Sequence, residues 1–437
     1  MKKSYILILL LLSGSVFGQA DAKFRKIDSL LRYLQANNKF MGSVAIRESD
    51  KIVFAKAYGF SDIANQKVAN PDTKYKVGSI TKPFTAVVLL QLVDEKKIKL
   101  EDKLSKFYPK VKNADQITIE MLLRHRSGIH EILGDSIIAE NIQNKMSKAQ
   151  LVDVMNRFAS DFTPDSKYTY SNSNYILLGF IIEDVTKKSY SENLQTRIIK
   201  KIGLKNTYLP EKTDHSKNEA SSAIFVGNKW NVIPEWSNSI AFSAGALVST
   251  PSDLTQFTKA LFDGKLMSAA SFEKMKTLKD TYGLGLIALP FDNKKFYGHT
   301  GGIENFRSVT GFEPESKMGF ALCINGDNFD RNAITLGILQ LYYGQDYKFP
   351  EFNEIAVSES ILQTYVGNYA SSAFPLKIRI FIENGKLSAQ ATGQGSFALE
   401  AESDTKFAFK PAGIKLEFSH GKMNLKQNGL NVDFNRE

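Results

Sequence analysis

Hydrophobic residues recur at two different spacings along this chain, and the spacing predicts which segments are helices and which are strands. From residue 24 to residue 34 they recur every three or four positions, which predicts an amphipathic helix. Residues 42–47 and 52–58 are strand-like and are separated by a polar turn. Residues 81–92 are almost continuously apolar and predict a buried helix. Helical spacing then dominates from residue 119 to residue 202.

Strand signals return near Tyr282 and continue to a final helix. Residues 306–312 and 318–324 predict a hairpin, and residues 333–342 predict the helix that follows it. Before them, Thr250 precedes a proline and an early aspartate, as at a helix start. Strands, a helical block, then strands and a last helix predict an α/β (α+β) fold. We expect an antiparallel sheet flanked by helices, with an inserted helical subdomain.

The pattern changes again after residue 349. Apolar and polar residues alternate from 376 to 382, and two Asn-Gly pairs, at 384–385 and 428–429, predict type I′ hairpin turns. We therefore predict a separate small all-β domain over residues 351–437, a barrel or a sandwich.

The first 18 residues have the pattern of a secretory signal peptide. Lys2 and Lys3 precede an apolar run at residues 6–12, and small residues lead to Gly18, after which we expect cleavage. The run is too short to span a bilayer, and no second candidate follows, so no membrane span is expected. The predicted organisation is a signal peptide over 1–18, a main domain over 19–350 and the β-domain. We expect the protein to be exported, to the periplasm or the medium.

Composition changes this interpretation little, but charge has to be considered with compartment. Of 437 residues, 43% are hydrophobic and 23% charged, which is typical of a globular protein. A net charge of +10 could indicate a nucleic-acid partner. Removal of residues 1–18 takes away Lys2 and Lys3 and leaves a charge of +8. An exported chain meets an anionic envelope instead, so no nucleic-acid partner is expected. The single cysteine, Cys323, excludes an internal disulfide, and its apolar surroundings predict a buried thiol in a strand.

The first candidate for chemistry is Ser79-Ile-Thr-Lys82. At the start of the predicted buried helix, Lys82 lies one turn after Ser79, so its amine can reach the serine oxygen. A serine becomes a good nucleophile when a base takes its proton, and a desolvated lysine can be that base. The same four-residue pattern also occurs at Ser271, Ser403 and Ser419, but only Ser79 has a buried helix behind it.

Two further motifs supply groups that complement a nucleophilic serine. Tyr170-Ser-Asn172 precedes a predicted helix, where a tyrosine can transfer protons and an amide can bind a substrate amide. His299-Thr300-Gly301-Gly302 follows a predicted strand, and its glycines permit close approach of a ligand backbone. A strand-edge N–H there can act as one oxyanion donor, with the N–H of Ser79 as the other.

The three motifs, in this order, resemble the serine β-lactamase and penicillin-binding protein superfamily. The most similar branch contains class C β-lactamases, D-alanyl-D-alanine carboxypeptidases, D-aminopeptidases and related esterases. Residues 122–128 resemble its LLxHxSG element, 170–179 its YSNxxYxLLG segment and 243–254 its GGLxSTxxDL segment. The resemblance covers about residues 24–345, and the β-domain resembles, less specifically, lipocalin-like barrels appended to some of these peptidases.

The resemblance implies acyl transfer in two steps, acylation and then hydrolysis by water. It makes Ser79 the nucleophile, and it makes Lys82 and Tyr170 the pair that takes and returns its proton. The substrate-binding residues that it implies are Asn172, His299, Thr300 and Gly301. Asn172 would orient the substrate amide, and His299 and Thr300 would face the carboxylate or leaving group. The backbone N–H groups of Ser79 and Gly302 would form the oxyanion hole.

The histidine at 299 is a departure from class C β-lactamases, which have lysine there. A histidine is mostly neutral at pH 7, and this weakens the prediction of β-lactamase activity. The leading hypothesis is an exported serine peptidase or amidase on D-amino-acid peptides, such as peptidoglycan stems. The alternatives are an esterase or β-lactamase using the same serine, and a penicillin- or muropeptide-binding protein without turnover. No cofactor is expected, and no metal, since the spacing of His125, His130 and Glu131 matches no metal motif.

Overall fold

The structure, a computed structural model, describes residues 22–226, 229–352, 355, 357–383, 385–409, 412–427 and 429–437. The predicted signal peptide and the asparagines of both Asn-Gly pairs lie outside these residues. The chain divides into two compact units, and the division falls between Tyr347 and Lys348. The domain limits expected from the sequence, 19–350 and 351–437, stay a prediction.

The first unit alternates strands and helices. Its strands are β1 Phe40–Glu48, β2 Lys51–Tyr58, β3 Phe60–Asp62, β4 Lys67–Val68, β5 Tyr75–Lys76, β6 Ala223–Val226, β7 Lys229–Val232, β8 Val248–Ser249, β9 Ile287–Phe291, β10 Lys294–Ile303, β11 Phe306–Glu313 and β12 Met318–Asp327. Its helices are α1 over residues 22–36, α2 Thr81–Asp94, α3 Ile119–Leu123, α4 Ser136–Glu140, α5 Lys148–Asn156, α6 Asn172–Thr186, α7 Tyr190–Leu194, α8 Lys200–Ile202, α9 Asn238–Gly245, α10 Pro251–Phe262, α11 Ala269–Lys276 and α12 Arg331–Tyr342.

The centre of the first unit is a six-stranded antiparallel sheet of order β2-β1-β12-β11-β10-β9. Helices flank it, so the predicted fold class is confirmed. The hairpin expected near residues 306–324 is β11–β12, in which Phe312 pairs with Gly319. Cys323 lies in β12 and is buried, as its apolar surroundings predicted.

Helix α2 is the core of the helical side of this unit. Every residue from Thr81 to Leu92 is buried, which explains why its apolar residues are not confined to one stripe. Helix α10 begins as predicted, since the Thr250 hydroxyl accepts a hydrogen bond from the N–H of Asp253. Phe257 of α10 stacks on Phe84 of α2, with ring centroids 3.7 Å apart.

The second unit is a nearly closed nine-stranded barrel with one short helix, α13 Glu359–Tyr365. Its strands are β13 Gly367–Ser371, β14 Phe374–Glu383, β15 Lys386–Ala391, β16 Phe397–Ala398, β17 Glu400–Ala401, β18 Lys406–Phe409, β19 Ile414–Ser419, β20 Lys422–Gln427 and β21 Leu430–Arg436. The order is β16-β15-β14-β13-β21-β20-β19-β18-β17. Residues that alternate along these strands, such as Ile378 and Ile380, fill its core. Across the described part of the chain, no helix has the length and apolarity needed to span a bilayer.

Candidate active site

Ser79 lies in a single 3₁₀ turn, Gly78–Ile80, that leads directly into α2. Gly78 has φ +53°, and a Cβ at this position would lie 2.6 Å from the backbone nitrogen of Gly302. The turn therefore packs directly against β10, and only glycine fits there. A hydrogen bond of 2.7 Å from the Ser308 hydroxyl to the Val77 carbonyl fixes the same contact from β11. This packing brings the backbone at Ser79 and Gly302, the two predicted oxyanion donors, into one region.

Two proton-carrying groups contact the Ser79 oxygen. The Lys82 amine lies 2.9 Å from Ser79 Oγ, and the Tyr170 hydroxyl donates to the same oxygen over 2.8 Å. Lys82 comes from the first turn of α2, whereas Tyr170 comes from the loop before α6. The structure thus brings together the three residues predicted to be catalytic, although their roles stay predictions.

Lys82 is fully buried, and its remaining partners are two oxygens. Its amine donates to Asn172 Oδ1 over 2.7 Å and to the Ala244 carbonyl over 2.9 Å. Burial disfavours the ammonium and lowers the pKa of Lys82 to about 7. The neutral amine has two N–H bonds, and these can still donate to Asn172 Oδ1 and to the Ala244 carbonyl. The lone pair then points at Ser79, which is the geometry that a general base needs.

The Ala244 carbonyl that accepts from Lys82 lies two residues after an unusual backbone geometry in α9. Phe242 interrupts this helix with φ +36° and ψ −124°, a conformation that side-chain-bearing residues rarely adopt. Its ring is held by stacking on Phe180, with centroids 5.2 Å apart. The next carbonyl, of Ser243, accepts from the Thr85 hydroxyl over 2.7 Å. No residue pattern in this segment indicated the interruption.

Glu131 is a residue of the site whose place the sequence analysis did not predict. Its Oε2 accepts from Asn172 Nδ2 over 2.8 Å and from the Asn172 backbone N–H over 2.5 Å. The carboxylate therefore fixes the amide of Asn172 with its oxygen toward Lys82. Its negative charge also favours the ammonium form and raises the pKa of Lys82 against the effect of burial. The sequence placed Glu131 only among unconvincing metal ligands.

Tyr170 keeps its proton. Burial of the ring raises its pKa, and the hydrogen bond to Ser79 offsets only part of that effect. A nearby cation would have to depress this pKa for Tyr170 to act as a proton acceptor at neutral pH. Burial outweighs any such effect, so Lys82 is the better proton acceptor of the pair.

His299 is neutral, and both ring nitrogens are engaged. Nδ1 lies 2.5 Å from the Thr300 carbonyl, which can only accept, so Nδ1 carries the proton. Nε2 then accepts from the Tyr282 hydroxyl over 2.8 Å. Burial, together with the nearby Lys82, lowers the pKa of His299 to about 3. In this arrangement the side chain has neither a charge nor a free N–H for a substrate carboxylate, and the carboxylate role expected for it stays a prediction.

The other residues of this motif differ in exposure. Gly301 is buried, and a Cβ there would lie 2.0 Å from the Val77 carbonyl, so this glycine serves packing of the Ser79 turn. Thr300 is half-buried and Gly302 is exposed. Of the site residues predicted on β10, Thr300 for substrate binding and Gly302 for the oxyanion hole are therefore the accessible ones. Among the described residues, no three His, Cys, Asp or Glu side chains cluster as a metal site.

Comparison with known proteins identifies this architecture. The family model described as Beta-lactamase matches residues 27–343. The chain belongs to the beta-lactamase family. All of the residues just described lie within the matched range, and the resemblance expected from the three motifs is confirmed.

Several relatives in the beta-lactamase family are named as hydrolases. Over 299 residues the chain is 29% identical to the teichoic acid D-alanine hydrolase of Staphylococcus aureus, which covers 66% of this chain and 71% of that protein. A D-stereospecific amidohydrolase from Streptomyces sp. has a solved structure with a TM-score of 0.63 and 27% identity, covering 74% of this chain and 99% of that one. The D-amino acid amidase from Ochrobactrum anthropi SV3 reaches 0.65 at 26% identity, covering 73% and 98%. The protein is accordingly a serine hydrolase of the beta-lactamase family.

Proposed function

We propose that the protein is an exported amidase or esterase that cleaves D-aminoacyl bonds through an acyl-enzyme on Ser79. The observation that carries the proposal is the pair of contacts to Ser79 Oγ, 2.9 Å from Lys82 Nζ and 2.8 Å from the Tyr170 hydroxyl. Two of the three relatives are named for D-alanine or a D-amino acid and the third is named as a D-stereospecific amidohydrolase, and these names support the substrate class.

The reaction begins when neutral Lys82 takes the Ser79 proton and Oγ attacks the substrate carbonyl carbon. The oxyanion that forms accepts hydrogen bonds from the N–H groups of Ser79 and Gly302. The C–N or C–O bond then breaks, and Lys82 returns its proton to the leaving amine or alcohol through Tyr170. Water attacks the resulting ester, and the same groups restore the Ser79 hydroxyl as the D-amino acid is released. Asn172, oriented by Glu131, holds the amine of Lys82 in line throughout.

The state of His299 favours amides and esters over β-lactams and C-terminal D-alanyl peptides. Substrates of the last two classes carry a carboxylate beside the bond that breaks, and a neutral, fully bonded imidazole gives it no charge partner. An amide or ester with an uncharged leaving group needs no such partner. The test therefore also includes substrates for the other activities considered, namely carboxypeptidase activity on peptidoglycan-stem peptides and β-lactamase activity.

The test compares the unsubstituted chain, beginning at residue 19, with the Ser79→Ala variant of the same chain. Substrates are the D- and L-alanine p-nitroanilides, D-alanyl esters, a D-Ala-D-Ala peptide and a chromogenic cephalosporin. We expect hydrolysis of the D-anilide and the ester, and a loss of at least about 10³-fold in kcat for Ser79→Ala. Ser419→Ala is the matched control, because it removes the serine of the same four-residue pattern at an exposed position and leaves activity unchanged.

Three results would contradict the proposal in different ways. Full activity of Ser79→Ala would contradict a mechanism through a Ser79 acyl-enzyme. Rapid cephalosporin turnover without anilide or ester turnover would contradict the proposed substrate class and indicate a β-lactamase. A penicillin adduct on the Ser79 peptide that persists for hours, with no turnover of any substrate, would indicate a binding protein. Intact-protein mass spectrometry separates the last case from an inactive preparation.

A further inference from the structure

His125 contacts three successive residues of the loop that carries Tyr170. Its carbonyl accepts from the backbone N–H of Thr169 over 3.0 Å, and its ring Nδ1 accepts from the backbone N–H of Ser171 over 3.1 Å. Between these two bonds, the imidazole stacks on the Tyr170 ring, with centroids 4.2 Å apart and planes 28° from parallel. One residue therefore holds the loop on both sides of Tyr170 and the tyrosine ring itself.

The ring nitrogen of His125 is an acceptor, and its surroundings keep it one. A backbone N–H can only donate, so Nδ1 carries a lone pair. Asn174 Nδ2 lies 3.3 Å from the same nitrogen, and the Ser127 hydroxyl on Asn174 Oδ1, at 2.5 Å, fixes that amide orientation. Burial, and then the nearby Lys82 and His299, hold the pKa of His125 well below its usual range. The neutral imidazole accepts these bonds throughout the neutral pH range.

The other side of His125 is anchored to α3. Its N–H donates to the Leu122 carbonyl over 3.2 Å, directly after the helix ends. Its backbone has φ +56°, in the left-handed region, which histidine adopts more readily than most side-chain-bearing residues. The Tyr175 hydroxyl donates to the Leu123 carbonyl over 2.9 Å, which ties the end of α3 to α6. The contacts to the Tyr170 loop thus start from a rigid part of the core.

We propose that His125 is the positioning residue for Tyr170, holding its hydroxyl within hydrogen-bond reach of Ser79 through the two backbone bonds and the stacked ring. The proposal rests on the role of Tyr170 in the proposed function. His125 has no hydrogen bond to Ser79 Oγ or Lys82 Nζ, so we expect its effect on the rate to pass through the position of Tyr170. A displacement of about 1 Å at a catalytic group can cost 100-fold in rate, which sets the scale of the expected effect.

Two substitutions separate the contacts of His125. His125→Phe keeps a ring that can stack and removes the Nδ1 acceptor, so the buried Ser171 N–H loses its partner. His125→Asn keeps a short acceptor and a tolerance of positive φ, and it removes the ring. For His125→Phe we expect kcat on the D-alanine p-nitroanilide to fall about 10- to 100-fold, with KM nearly unchanged. For His125→Asn we expect a smaller fall in kcat, because the acceptor for the Ser171 N–H is kept. Titration of active Ser79 with a fluorophosphonate label corrects for any misfolded fraction.

A double-mutant cycle tests whether the effect passes through Tyr170. If it does, His125→Phe has no further effect on kcat in a Tyr170→Phe background. Additive losses would overturn the proposal for His125 while leaving the proposed function intact. A fully active Tyr170→Phe enzyme would instead overturn the role given to Tyr170.

Amide hydrogen exchange gives a measurement that does not depend on activity. In His125→Phe we expect faster exchange in a peptide covering residues 166–175, and unchanged exchange in α10. His420→Phe, at an exposed turn of the second unit, is the control and leaves both unchanged. Unchanged exchange of residues 166–175 in His125→Phe would overturn the proposal, whatever the enzyme hydrolyses.

Discussion

At the residue scale, the chemistry of the site depends on how burial shifts the pKa values of its titratable side chains. Lys82 and His299 are buried and Tyr170 is half-buried, and the loss of solvent around each group moves its pKa toward the uncharged form. Glu131 is the carboxylate whose charge opposes this at Lys82. A neutral amine beside a protonated phenol and a neutral imidazole is a site that accepts one proton from Ser79 and no more.

The first prediction concerns the acidic side of the pH profile. Because Lys82 acts as base only when neutral, kcat/KM falls as the pH drops below its pKa of about 7. Glu131→Gln removes the negative charge that raises this pKa, so the Lys82 pKa is lowered and the acidic limb moves to lower pH. The measurement is kcat/KM against pH, with unfolding monitored at each end.

Glu273→Gln, on the exposed face of α11, is the matched control and leaves the limb in place. A limb that moves to higher pH in Glu131→Gln, or stays where it is, would show that Lys82 is not the titrating base. A lower maximum alone would not, because Glu131 also orients Asn172.

At the element scale, the close approach of the Ser79 turn to β10 makes Gly78 irreplaceable. Gly264, after α10, has a similar left-handed φ of +70°, but a Cβ there would meet nothing within 4 Å. We expect Gly264→Ala to lower the free energy of unfolding by about 1 kcal/mol, from backbone strain alone, at full kcat. Gly78→Ala adds a clash with Gly302 and should cost more stability and most of the activity.

Urea unfolding and kcat/KM, measured on both variants, check this comparison. Equal losses of stability with full activity in Gly78→Ala would mean that the turn has room to move away from β10. The oxyanion hole proposed for the N–H groups of Ser79 and Gly302 would then need another geometry.

The elements themselves were largely predictable, and the contacts between them were not. Helix α2 and the capped start of α10 follow from local composition and capping, so the sequence predicts both closely. Glu131 reaches Asn172 across 41 positions, and Lys82 reaches the Ala244 carbonyl across 162. Such pairings depend on tertiary packing, which periodicity does not encode. The short strands β3 to β8 went unpredicted for the same reason, since two to four residues carry no measurable period.

At the scale of the whole molecule, the net charge of +10 depends on processing of the N-terminus. When the chain is expressed with its own N-terminus in a bacterium with a periplasm, we expect to recover it outside the cytosol. Its mass should be that of a chain that begins at Gln19. Leu9→Arg interrupts the apolar run and should leave the chain unprocessed in the cytosol. Recovery of the full-length mass from the periplasm would contradict cleavage at this point.

The buried thiol of Cys323 gives the molecule an internal reporter of its own unfolding. Cys323 is the single cysteine of the sequence and lies in β12, where burial raises its pKa and keeps the thiolate, the reactive form, scarce. A thiol reagent can therefore modify the native chain only after the central sheet opens. The rate of modification under native conditions measures how often this happens, without any added label or engineered residue.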